Sequence, residues 1–232
     1  ELITPKSVES SVDVESALTL PIQRERNAIF VDVELHGNDG KKAARKYLFD
    51  TGASFTTITA ETAAELGIDV PEDAPTVEFN TASGVRVSRV VYLPALSIGG
   101  VEVPSLLVSV CDPCATDMAA GLLGLNVMRE FVVQMDYQEH NIRLLPRVHD
   151  GEPDRAYDIR QVVQSRVRGR ADIMLKRVRW PVEIENRGQV PLRQVMPLVE
   201  FTDGPTLYGE PIPLIEPGQK AVSLVSGPVG DG

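Results

Sequence analysis

The sequence predicts an all-β protein, on three observations. Apolar and polar side chains alternate with a period of two, most plainly from Ile29 to His36. β-branched runs recur, Thr56-Thr57-Ile58-Thr59 among them. Clusters of Gly, Pro, Asn and Asp punctuate these runs at short intervals along the chain. Helix-like stretches are few and short.

Taken in order, residues 1–17 are polar, lack clear periodicity and form a lead-in. Leu18-Thr19-Leu20-Pro21-Ile22 is a short extended piece. Ile29, Val31, Val33 and Leu35 then mark one face of a half-buried strand, and Gly37-Asn38-Asp39-Gly40 turns the chain. A strand from Lys46 to Phe49 runs into Asp50. Glu61 to Gly67 reads as one or two helical turns, with Thr59 as the cap and Gly67 as the C-terminal stop. Val77 and Phe79 lead into Asn80-Thr81-Ala82-Ser83-Gly84, and Val85, Val87 and Val91 lead away, which is a hairpin pattern. Val90–Ile98 and Val101–Val110 flank the turn Gly99-Gly100. In Gly121-Leu122-Leu123-Gly124 the glycines let strands approach closely, and Asn126 is expected to cap a short helix from Val127 to Phe131. Val132–Met135 and Asn141–Leu145 form a closing hairpin.

Residues 146–156, with Pro146, Gly151 and Pro153, read as a linker between a first domain, 18–145, and a second, 157–232. Strand candidates at Pro181–Glu185, Leu192–Phe201 and Ala221–Val225, with turns between them, suggest a small β-sandwich. The segment from Val182 to Val225 resembles the immunoglobulin-like (Ig-like) domains appended to bacterial exported proteins.

Charge narrows the functional classes. A net charge of −10 speaks against nucleic acid as the main partner, because phosphate binding needs a basic surface. The charge is uneven: residues 157–232 hold 10 basic and 9 acidic side chains, and residues 1–156 hold 13 and 24. Apolar runs are interrupted by Pro, Gly or charge before they reach the length that spans a bilayer. The chain starts at Glu1 rather than Met, which is expected of a processed form with any targeting segment removed. The two cysteines, Cys111 and Cys114, suit a local loop staple in an exported or membrane-anchored protein, or reduced thiols in the cytosol. His36, His140 and His149 are scattered, so no metal site is expected.

The chemistry concentrates at Phe49-Asp50-Thr51-Gly52-Ala53-Ser54. An acid ending a buried strand is costly to ionise unless hydrogen bonds compensate it. Gly52 lets the backbone present an N–H, and the hydroxyls of Thr51 and Ser54 can orient the carboxylate. Hydrolysis of a peptide bond needs a base for water and an acid for the carbonyl. Two adjacent carboxylates sharing one proton supply both, the effect for which aspartic proteases are the standard illustration. Asp-[Thr/Ser]-Gly occurs once in the chain, so a pair of such carboxylates would require two copies of it.

With the hairpin at Asn80–Gly84 and Leu122-Leu123-Gly124 following in order, residues 18–145 resemble the retropepsin-like aspartic proteases. That resemblance implies a single-lobe acid-protease β-barrel, Asp50 as catalyst, and an active-site loop of Thr51, Gly52, Ala53 and Ser54. Ala82, Ser83 and Gly84 would form a flap giving backbone contacts to an extended peptide. It also implies a homodimer, a peptide or protein substrate, and no cofactor. The bland readings are a strand-end aspartate in a turn, an ordinary hairpin, and glycines serving only packing. A phosphatase-like reading fails, because Gly52 stands where a second acid is needed. The alternative from another class is a non-catalytic peptide-binding or assembly module. Beyond the linker, arginines from Arg160 to Arg179 read as solvated strand faces or as a surface for an anionic partner. Trp180 is expected in the core.

Overall fold

A computed structural model describes residues 12–25, 28–81, 84–112, 118–148, 159–170, 172–174, 177–201 and 206–228. The chain divides into two compact units, residues 1–158 and 159–232. Both are built of strands, so the all-β class holds.

The first unit contains β1 (Leu18–Pro21), β2 (Gln23–Glu25), β3 (Ala28–His36), β4 (Lys42–Phe49), β5 (Thr57–Ile58), α1 (Ala60–Glu65), β6 (Thr76–Thr81), β7 (Gly84–Ile98), β8 (Val101–Val110), β9 (Leu122–Leu123), α2 (Leu125–Met128), β10 (Phe131–Asp136) and β11 (Asn141–Pro146). An eight-stranded sheet runs β5-β8-β7-β3-β4-β9, with β2 added to β3 and β6 to β7. A three-stranded sheet, β1-β11-β10, accompanies it. The period-two residues of β3 do as their spacing requires: Val31, Val33 and Leu35 are buried, while Asp32 is exposed. They join Tyr47, Leu93, Leu96, Leu123, Phe131 and Ile142 in one core. Full burial of each large apolar side chain contributes roughly 1.5–3 kcal/mol.

Turn chemistry explains the connections. Asp39 and Gly40 take positive φ between β3 and β4, and Gly99 and Gly100 do so between β7 and β8. Thr59 caps α1 by accepting from the Thr62 N–H at 3.1 Å, and Gly67 follows at φ +67°.

The structure differs from the sequence reading in three places. The lead-in is partly structured: Val12 is buried and bridges to Arg147, and Asp13 Oδ1 accepts from the Glu15 and Ser16 N–H groups. The second short helix spans Leu125–Met128, and Gly124, not Asn126, is its N-cap. The extended stretch expected from Leu192 to Phe201 is two strands, because Pro197 lacks the N–H that would carry a ladder through.

The second unit contains β12 (Val163–Val167), β13 (Asp172–Met174), β14 (Arg177–Asn186), β15 (Leu192–Val195), β16 (Leu198–Val199), β17 (Leu207–Tyr208), β18 (Ile212–Ile215) and β19 (Lys220–Pro228). Strand β14 is central, flanked by β12 and β13 on one edge and by β19 on the other, all antiparallel. β15 pairs with β18 and β16 with β17. Val178, Val182, Ile184 and Val225 are buried. Trp180 is half-buried, its ring 5.6 Å from that of Phe201. Arg166 and Arg168, expected on a solvated face, both pair with Glu183. Cys111 is disulfide-bonded. Cys114, Ala82, Ser83 and residues 149–156 of the expected linker lie outside the described residues. No helix among the described residues is long and apolar enough to cross a membrane.

Candidate active site

Asp50 is placed by a short parallel ladder. Leu48 and Phe49 of β4 pair with Leu122 and Leu123 of β9. Lys46 C=O accepts from the Ala120 N–H at 2.8 Å, and the Leu48 N–H donates to Gly121 C=O at 3.0 Å. The Asp50 N–H then donates to Leu123 C=O at 3.1 Å, so the ladder reaches the acid itself. Immediately after it the chain turns, the Ala53 N–H donating to Asp50 C=O at 3.2 Å.

Within that turn the Gly52 N–H donates to Asp50 Oδ1 at 2.8 Å. A Cβ on Gly52 would stand 3.2 Å from the same oxygen, which is why the smallest residue suits this place. Asp50, Ala53 and Ser54 are half-buried, and Thr51 and Gly52 are exposed. The carboxylate is thus oriented by one backbone donor while still open to solvent. Among the described residues no cation forms an ion pair with it.

The far side of the loop is fastened to the segment after β9. Leu125 N–H donates to Ala53 C=O at 2.8 Å, and Asn126 N–H to Ser54 C=O at 3.2 Å. A Cβ on Gly124 would fall 2.4 Å from the Phe55 carbonyl carbon, and one on Gly121 would fall 2.6 Å from Thr57 O. Both glycines are therefore required for two backbones to meet at this distance.

A buried polar network, which the sequence reading missed, locks the arrangement. Thr56 and Asn126 are wholly buried. Asn126 Oδ1 accepts from the Thr56 N–H at 2.8 Å and from Thr56 Oγ1 at 3.0 Å, and Asn126 Nδ2 donates to Leu107 C=O at 2.8 Å. Thr56 Oγ1 in turn accepts from the Gly124 N–H at 3.1 Å, and Thr57 Oγ1 from the Leu122 N–H at 2.8 Å. A network with its members paired rigidifies what it joins. The signal for it was the amide itself, set in an otherwise apolar turn, Leu125 to Met128. On β4, three residues before Asp50, Tyr47 is fully buried, and burial pushes its phenol up, so the ring stays neutral.

The hairpin of β6 and β7 closes with Thr81 paired to Gly84, which sits at φ +116°. Gly84 is thus at the base of the expected tip. Phe79 of β6 meets Phe55 with ring centroids 6.5 Å apart and planes at 79°, an edge-to-face pair.

Residues 31–127 match the family model described as Aspartyl protease. Among solved structures the chain is similar to a retropepsin-like aspartic protease from Rickettsia conorii, at 24% identity over 57% of this chain and 94% of that one, with a TM-score of 0.44. No curated protein sequence matches the chain.

Proposed function

We propose that the first unit, whose residues 31–127 match the family model described as Aspartyl protease, is the catalytic part of a retropepsin-like endopeptidase whose dyad is Asp50 from each of two copies. The observation that carries this reading is the placement of Asp50. It ends a strand, is aimed by the Gly52 N–H, is half-exposed, and has no cation partner among the described residues. A carboxylate so held can share a proton with a second one across a two-fold axis, since two like charges in contact do not both ionise cheaply. One carboxyl then takes a proton from water while the other donates to the peptide carbonyl.

The exposed Thr51 would tie the two loops together, and the hairpin ending at Ala82, Ser83 and Gly84 would cover the peptide. The second unit is proposed as a small β-sandwich, joined through the linker read at 146–156, whose first residues, Pro146 in β11 and Arg147 bridged to Val12, belong to the first unit.

Cleavage of casein followed across protein concentration tests the dimer. The expected specific activity rises with the dimer fraction seen by sedimentation, and its pH profile is bell-shaped. A chain that stays monomeric at every concentration and cleaves nothing supports the non-catalytic peptide-binding module instead.

A further inference from the structure

From Gly84 to Ser88, β7 pairs only with β6, so this part of the hairpin is an arm with no third strand beside it among the described residues. One face of the arm is open, with Val85 and Val87 at 65% and 60% exposure. The other face carries Phe79, set edge-on against Phe55. Phe55 itself cannot shift freely. It is buried, its carbonyl carbon lies against Gly124, and the next residue is fixed by Asn126. The same loop that aims Asp50 therefore also offers the arm its seat.

We infer that Phe79 is a positioning residue whose ring, seated on Phe55, holds the arm down over the Asp50 loop and so sets how tightly a peptide is bound. The inference rests on the endopeptidase reading only for its kinetic consequence. An arm that is closed for a smaller fraction of the time weakens apparent affinity by that fraction. Once a peptide is bound the arm is closed in either case, so the chemical step is untouched. An edge-to-face ring pair is worth about a two- to twelve-fold change in such an equilibrium.

The test compares Phe79→Leu and Phe79→Tyr in the whole chain, with an internally quenched casein-derived peptide as probe and amide hydrogen exchange as a second readout. For Phe79→Leu, KM is expected to rise about two- to twelve-fold with kcat within about two-fold. Amides of residues 77–81 and 84–88 exchange faster while β3 and β4 do not change, and Phe79→Tyr restores both readouts. Unchanged exchange in the arm, or a fall in kcat at constant KM, overturns the inference. If the unsubstituted chain cleaves no peptide, the endopeptidase reading fails alone, and exchange in the arm still decides for or against the ring contact. If Phe79→Leu loosens β3 and β4 as well, Phe79→Met is measured with the same two expected outcomes.

Discussion

Asp50 and Glu183, one in each unit, are carboxylates on or at the end of a strand, and their surroundings treat them in opposite ways. Glu183 on β14 is 5% exposed. Its Oε1 accepts from Arg166 Nε at 2.7 Å and lies 2.6 Å from Arg166 Nη2, and its Oε2 pairs with Arg168. Burial works to raise its pKa, but the two guanidinium groups outweigh that and hold the carboxyl below its ordinary value. Among the described residues Asp50 has one backbone donor to its carboxylate and no paired cation. A carboxylate held between two arginines is kept in its ionised form and fastens Arg166 of β12 to β14. One that is oriented but unsaturated can still exchange a proton. The difference separates a structural acid from a candidate catalyst even though both stand within strand-rich surroundings.

Removing the charge at each site sharpens that contrast, and the largest effect belongs to Asp50→Asn. The asparagine keeps an oxygen for the Gly52 N–H, so the turn and the melting temperature should be preserved. Peptide cleavage should fall by about 10²–10⁴-fold or more, the range a positioned acid–base group supplies. Glu183→Gln in the same assay should leave cleavage unchanged. Casein cleavage retained in Asp50→Asn would remove Asp50 from the mechanism.

Next in size is the network that holds the Asp50 loop. Asn126→Ala leaves the Thr56 N–H and the Leu107 C=O buried without their partner. Each such group costs about 1–3 kcal/mol, so a loss of roughly 2–6 kcal/mol is expected in urea unfolding. Activity should suffer with it, because Thr56 stands two residues beyond Ser54, at the end of the Asp50 loop. A shift below about 0.5 kcal/mol, the size of an ordinary surface substitution, would mean that the network does not hold the loop.

What could be read in the sequence divides along physical lines. β3 was legible because its two faces meet different solvents, and the turns were legible because positive φ selects Asp39, Gly40, Gly99 and Gly100. Asp50, Gly52, Gly121 and Gly124 were legible because a tight turn and a close backbone approach admit few residue types. Asn126 was misread because a local cap and a long-range core amide use the same residue. Only the 70-residue separation between Asn126 and Thr56, closed by folding, tells them apart. Arg166 and Arg168 are on a solvated face, as read, but their pairing with Glu183 was not legible: it arises only through strand register, with Arg166 directly opposite Glu183. Phe55 and Phe79 gave no sign of meeting, since either ring alone fits an ordinary apolar strand position.

The smallest effect comes from the second carboxylate and is read in acid. The folded pKa of Glu183 lies below its ordinary value of 4.5. The stability it contributes is therefore fully present above that value and is lost as the pH falls through the lower, folded one. Arg166 and Arg168 are more than half exposed, so water screens both pairs and keeps the contribution small. Glu183→Gln removes this dependence: its unfolding midpoint should be lower than the wild type's near neutral pH and should change less on acidification below 4.5. Trp180 is the chain's only tryptophan and lies on β14 beside Phe201, so its fluorescence follows this unit through the transition. Coincident acid titrations of the two proteins would mean that the arginines merely lie near Glu183. A shallower curve for the glutamine variant would make the same carboxylate a tie between strands.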